Sequence, residues 1–131
     1  MSTMYSRSYI LLNQAKEAVG KISEDDAYLD IACFETQQAV EFLLKTILQE
    51  YGVAYEKTHN IRYLLDLVKS SGFVFDKEDD FDILADTLTD WEQSSRYGKG
   101  VKTTINTILR MHNIYNSMNQ AFIGLQESNN K

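Results

Sequence analysis

Apolar side chains recur at steps of three and four residues along almost the whole chain, which is the spacing of one face of an α-helix. This pattern predicts five helical segments, over about residues 6–20, 24–51, 61–68, 77–94 and 101–125. We find no stretch with the strict apolar-polar alternation and flanking turn residues that indicate a β-strand. The pattern therefore predicts an all-α protein, an up-and-down bundle of four or five helices.

The second segment is the longest and carries apolar residues on two faces, so we expect it to lie at the centre of the bundle. Gly52 is expected to end it, and Gly72 to close the third segment. The residues predicted to face the core are Tyr9, Leu12, Ala15 and Val19 in the first segment; Ala32, Phe34, Ala39, Val40, Leu43, Leu44, Ile47 and Tyr51 in the second; Ile61, Leu64, Leu65 and Val68 in the third; Phe81, Leu84, Ala85, Leu88 and Trp91 in the fourth; and Ile105, Ile108, His112, Tyr115, Asn119 and Phe122 in the fifth.

Length and composition narrow the class of protein further. The chain has 131 residues, which suits one domain over 1–131, with about 126–131 expected to form a frayed tail. It contains no proline, an absence that a helical chain tolerates best. One cysteine excludes an internal disulfide and fits a reducing compartment, so we expect a cytoplasmic protein. No apolar run is long enough to span a membrane, so no membrane association is expected.

Charge is concentrated in one segment. The net charge is −6, and residues 76–90 alone contain seven acids and one lysine, so the rest of the chain is balanced. The acids flank apolar core positions, and we interpret them as the solvated face of an amphipathic helix and not as a magnesium site. The overall acidity also argues against binding to duplex DNA.

Residues 94–102 have the opposite character. They contain Arg96, Lys99 and Lys102, two glycines and no acid, directly before a predicted helix start. Cationic side chains and free helix N–H groups bind phosphate, so this segment is the best candidate for an anion site. The alternative is a solvated loop whose arginine pairs with an acid.

The two histidines have simpler explanations than catalysis. Either His59 or the Thr58 hydroxyl is expected to cap the third helix, with ligand contact as the alternative for His59. His112 lies on the main apolar face of the fifth segment, which is typical of a core or dimer-interface residue. Neither has the spacing of a metal site, so no metal and no cofactor are expected.

Two further side chains lie on the second helix. Lys45 follows Glu41 by four residues, which favours an ion pair, but a position at a cleft edge would leave Lys45 available to a phosphate. Cys33 has apolar neighbours and is expected to be buried and inert.

Three sequence elements resemble the HEPN domain family. In order along the chain they read ACFETQQAVEFLLK at residues 32–45, KTHNI at 57–61 and SRY at 95–97. The matching residues are Gln37, Gln38, Ala39, Glu41, Leu44, Lys45, Thr58, His59, Arg96 and Tyr97. A proline usually follows the Arg-Tyr pair in that family, and this chain has Gly98 instead.

The resemblance implies a helical bundle that binds a nucleotide or RNA. It also implies a homodimer and an association with a minimal nucleotidyltransferase, in a system similar to a toxin and its antitoxin. Many family members are metal-independent ribonucleases with an R-x4–6-H motif, and no arginine of this chain has a histidine at that distance. The first hypothesis is therefore a noncatalytic accessory module that holds a phosphate near Arg96, Tyr97, Lys99, Lys45 and His59.

Two alternatives stay open. One is a divergent endoribonuclease in which Arg96 acts with His59 or His112. The other is a dimeric interaction scaffold in which the fifth helix packs against a second copy.

Overall fold

The computed structural model describes residues 3–96 and 103–130, with the side chains of residues 92–96 left out. Five α-helices follow one another along the chain: α1 (Met4–Gly20), α2 (Ala27–Glu50), α3 (Ile61–Ser70), α4 (Glu78–Arg96) and α5 (Ile105–Asn129). The described residues contain no β-strand. The predicted all-α helical bundle is confirmed.

Short polar side chains set several helix starts, because they accept hydrogen bonds from N–H groups that the first turn leaves unpaired. Thr3 accepts from the backbone N–H of Ser6, and Thr104 accepts from that of Thr107. Gly52 and Gly72 follow α2 and the end of α3 with φ values of +67° and +94°. Only glycine adopts such angles at little cost, so both residues allow the chain to turn away from its helix.

Helix α2 contacts each of the other four helices, which confirms its predicted central position. It is antiparallel to α1, because the start of α1 lies beside the end of α2, around a cavity that both helices line. Its fully buried apolar side chains are Ala32, Cys33, Ala39, Val40, Leu43, Leu44, Ile47 and Leu48. These residues form the middle of one continuous core.

Some predicted core positions are wrong. Tyr9, Phe34, Tyr51 and Ile105 are exposed. In α1 the buried position is Ser8 and not Tyr9. The Ser8 hydroxyl donates to the Ala39 carbonyl oxygen at 2.6 Å and pairs with the Tyr115 hydroxyl at 2.8 Å, so its burial leaves no unpaired polar group.

Helix ends also differ from the prediction. Helix α2 begins at Ala27 and not near residue 24, because residues 21–24 form a turn after α1. Helix α5 begins at Ile105 and continues to Asn129, four residues beyond the predicted end. Residues 126–129, predicted as part of a frayed tail, extend this helix, and the Asn129 side chain donates to Glu50 at 2.9 Å.

Several acids of α4 are paired with cations. Asp82 accepts from Arg62 at 2.8 Å and from Lys69 at 2.7 Å, and Asp80 accepts from Arg110 at 3.0 Å. The hydrogen bonds from Lys69 and Arg62 hold the pKa of Asp82 below its usual value. The interpretation of this face as merely solvated is incomplete, because these pairs link α4 to α3 and α5.

None of the described helices is both long enough and apolar enough to cross a membrane.

Candidate functional site

A buried carboxylate on α2 gathers three polar side chains. Glu41 Oε1 accepts from His59 Nδ1 at 2.9 Å and from Gln37 Nε2 at 3.2 Å, while Glu41 Oε2 accepts from Lys45 Nζ at 3.0 Å. The Glu41 side chain is only 5% exposed. We call Gln37, Glu41, Lys45 and His59 the Glu41 cluster.

Helical spacing and the loop after α2 bring the cluster together. Gln37, Glu41 and Lys45 are four residues apart and therefore lie on one face of α2. The helix ends in a glycine turn, in which the Val53 N–H donates to the Leu48 carbonyl at 2.9 Å. The loop then packs against this helix, because Lys45 Nζ lies 5.9 Å from the centre of the Tyr55 ring. Because the loop returns to α2, His59 lies within hydrogen-bonding distance of Glu41.

Glu41 fixes the orientation of the His59 ring. A carboxylate paired with an ammonium group accepts hydrogen bonds and donates none, so His59 Nδ1 carries a hydrogen. The second nitrogen, Nε2, is then the one that remains for a ligand, and the His59 side chain is 51% exposed. Lys45 is more enclosed, at 12% exposed, but an ammonium group has three donors and Glu41 uses one. The cluster can therefore offer ammonium N–H groups to an anion and, when the His59 ring is protonated on both nitrogens, the Nε2–H as well.

Gln37 adds a polar atom that lacks a partner. Its Nε2 binds Glu41, but its Oε1 is buried and has no hydrogen-bond partner among the described residues. Trp91 Nε1 on α4 is likewise buried and has no hydrogen-bond partner within the described part of the chain. Buried polar atoms are usually paired, so among the described residues Gln37 Oε1 lacks a donor and Trp91 Nε1 lacks an acceptor.

The predicted site residues fall into two groups. The structure brings Lys45 and His59 together through Glu41, which was not among the predicted site residues. Arg96 is the last residue of α4, but its side chain, together with Tyr97 and Lys99, lies outside the described residues. The sequence signal for Glu41 was its i, i+4 spacing to Gln37 and Lys45, combined with its place in the family motif.

The predicted capping role of His59 or Thr58 is wrong. Asn60 caps α3, because its side chain accepts from the backbone N–H of Tyr63 at 3.1 Å. Thr58 Oγ1 accepts from the backbone N–H of Asn60, which precedes the helix. His59 turns toward α2, since the Glu41 carboxylate is a stronger hydrogen-bond partner than a neutral backbone group.

His112 and Cys33 are buried, as the sequence indicated. His112 Nε2 lies 2.9 Å from Thr36 Oγ1, and burial lowers the pKa of His112 to about 4. Burial likewise raises the pKa of Cys33 to about 12. At neutral pH the imidazole is uncharged and the thiol is protonated, so neither group has the accessibility or charge of a reactive side chain.

A separate cavity of about 370 Å³ lies where α1 begins and α2 and α5 end. It is lined by Thr3, Met4, Tyr5, Thr46, Gln49, Glu50, Phe122 and Gln126, and no predicted site residue is among them. Among the residues that the structure describes, no group of three or more His, Cys, Asp and Glu side chains could hold a metal ion.

Comparison with known proteins identifies the family. A model of the HEPN domain matches residues 9–121, a range that includes all of the Glu41 cluster. No curated protein and no solved structure gives a significant match. The chain therefore belongs to the HEPN domain family.

Proposed function

We propose that this chain is a noncatalytic accessory module that binds a nucleotide or RNA through a phosphate group. Membership in the HEPN family supports a nucleotide- or RNA-related role in general. The observation that carries the proposal is the Glu41 cluster, in which one buried carboxylate holds Lys45 at 3.0 Å and His59 at 2.9 Å from its two oxygens. Prior orientation lowers the entropy that binding would otherwise cost.

The charges of the cluster show what else a phosphate would require. Glu41 neutralises Lys45, so the cluster is uncharged when the His59 ring is neutral. Strong phosphate binding therefore needs further cations, and in the proposal these are Arg96 and Lys99, with Tyr97 beside them.

The path of α4 supports this assignment. The Ile61 N–H, two residues after His59, donates to Thr89 Oγ1 on α4 at 3.2 Å. Arg96 follows Thr89 by seven residues, which is about 10.5 Å along the helix axis. Arg96 thus lies about two turns of α4 beyond the residue that contacts the start of α3.

Calorimetric titration with ATP, GTP and a short single-stranded RNA tests the proposal. We expect heat of binding for the intact protein and a loss of at least about tenfold in affinity for Arg96→Ala and for His59→Ala, since each removes a hydrogen bond to a charged group. Lys21→Ala, at an exposed lysine in the turn after α1, is the matched control and should bind normally. Absence of heat with all three ligands at millimolar concentration contradicts the proposal.

The biological setting is part of the same proposal. We place the protein in the cytoplasm as a homodimer and as the partner of a minimal nucleotidyltransferase, in a system similar to a toxin and its antitoxin. A nucleotidyltransferase gene beside this gene, and co-elution of the two products after co-expression, are the expected results. Separate elution of the two products would contradict the proposed partnership.

The pair formed by Glu41 and His59 also favours a second candidate function, a divergent metal-independent endoribonuclease. A carboxylate that holds one ring nitrogen of a histidine leaves the other suited to general acid-base catalysis. Only His59 has this arrangement, because His112 is buried against Thr36. This candidate predicts RNA cleavage in EDTA that His59→Ala abolishes and His112→Gln does not. Intact RNA after long incubation with the pure protein rules it out.

A further inference from the structure

An exposed aromatic ring lies on the same face of α2 as the Glu41 cluster. Phe34 is 37% exposed, and Ile31, one turn earlier, is 45% exposed. Phe34, Gln38, Glu41 and Lys45 follow one another at steps of four, three and four residues, so their side chains form one row along the helix. The row begins with apolar surface and ends at the polar cluster.

The distance from Phe34 to the Glu41 carboxylate that holds Lys45 and His59 suits one nucleotide. Phe34 and Glu41 are seven residues apart, which corresponds to about 10.5 Å along the helix axis. Lys45 Nζ and His59 Nδ1 lie 3.0 Å and 2.9 Å from the Glu41 carboxylate oxygens, so both groups are at that end of the row. Gln38, which is partly buried, lies between Phe34 and Glu41. A base, a ribose and a phosphate in extended order can bridge this distance.

The chemical groups at the two ends of the row indicate which kind of ligand would bind. An exposed aromatic ring gains free energy when a flat aromatic group stacks on it, and every nucleobase has such a face. The other end offers the ammonium N–H groups of Lys45 to an anion, and the Nε2–H of His59 when that ring is protonated. A partner that is only apolar would cover Phe34 but leave the cluster unused, whereas a nucleotide uses both ends of the row.

We infer that Phe34, flanked by Ile31, is the platform on which the base of a bound nucleotide stacks while Lys45 and His59 hold its phosphate. The inference rests on the proposed function and adds the position of the base. Stacking on a ring distinguishes poorly between bases, so binding tolerates any base. The ligand is either a free nucleotide or one nucleotide of a single-stranded RNA, and the test separates these sources.

The experiment compares ATP with tripolyphosphate, which has the phosphates but no base, and with a short single-stranded RNA. Dissociation constants are measured by calorimetry in EDTA for the intact protein, for Phe34→Ala and for Phe34→Trp. We expect Phe34→Ala to weaken ATP binding by about 5- to 150-fold, the value of one base stacked on one aromatic ring. Tripolyphosphate binding should stay unchanged, and Phe34→Trp should retain ATP binding.

Ile83→Ala is the matched control, because Ile83 is an exposed apolar residue of α4, outside the row. It should bind all ligands normally, and thermal unfolding should show that each variant is folded. If Phe34→Ala weakens the binding of RNA but not of ATP, RNA is the ligand, and the reverse result identifies the free nucleotide. If ATP and tripolyphosphate bind equally well and neither depends on Phe34, the inference is wrong and the proposed function stands. If no ligand binds, both are wrong.

Discussion

At the scale of single residues, Glu41 determines the geometry of the candidate site. It is almost completely buried and accepts hydrogen bonds from Gln37, Lys45 and His59. Burying a carboxylate destabilises a protein unless an opposite charge and hydrogen bonds compensate the lost hydration. Here both Glu41 carboxylate oxygens accept hydrogen bonds. Glu41 therefore acts as a positioning residue for the two groups proposed to meet the ligand.

Removal of this carboxylate should destabilise the protein. Glu41→Ala leaves the Lys45 ammonium, 12% exposed, without its partner, so we expect the free energy of unfolding to fall by about 3 kcal/mol. Asp86→Ala is the control, because Asp86 is 78% exposed in its pair with Arg62 and should contribute less than about 1 kcal/mol. Urea denaturation followed by circular dichroism measures both variants. Equal losses for the two would show that Glu41 has no special role.

His112 should make stability depend on pH. Burial lowers its pKa from 6.5 to about 4, so between these values the unfolded chain binds a proton that the folded chain does not. The free energy of unfolding should therefore decrease as the pH falls from 6.5 to about 4, by about 3 kcal/mol in total. Denaturation curves at a series of pH values measure how the free energy of unfolding depends on pH. The His112→Gln variant should lose the part of this dependence that comes from His112. An identical pH dependence in the variant contradicts the assignment.

At the scale of helices, the sequence predicted the number and order of elements but not all of their faces. The spacing of apolar residues identified α2 as central, and the glycines at 52 and 72 marked turns correctly. The prediction of Tyr9 as a core residue was wrong because an apolar pattern cannot show that Ser8 would pair its hydroxyl with Tyr115. The same limit applied to His59, since its contact with Glu41 depends on how the loop after α2 returns.

Helix α4 gives a prediction at this scale. Trp91 is 2% exposed within the predicted apolar face of α4, and Trp91→Ala should reduce the free energy of unfolding by about 3–5 kcal/mol through the cavity it leaves. Ile83→Ala on the same helix removes a side chain that is 66% exposed, and it should change stability by no more than about 0.5 kcal/mol. Chemical denaturation of both variants distinguishes them. A loss below 1 kcal/mol for Trp91→Ala would contradict the packing of α4.

At the scale of the whole molecule, the paired acids of α4 and the candidate site lie on different elements. Asp80, Asp82 and Asp86 of α4 pair with Arg62, Lys69 and Arg110 from two neighbouring helices. The candidate site lies instead on α2 and on the loop before α3, where Lys45 and His59 are near one carboxylate. The proposed anion site thus lies apart from the paired acids of α4, which the net charge alone does not predict.

The proposed binding of a phosphate group at His59 can be measured directly, because the chain has only two histidines. Nuclear magnetic resonance of the imidazole C–H and nitrogen signals follows both rings while tripolyphosphate is added. We expect the His59 signals to shift in a saturable way, whereas those of His112, buried against Thr36, stay in place. His59 signals that do not move at any ligand concentration, or a shift confined to His112, would show that no phosphate binds at His59.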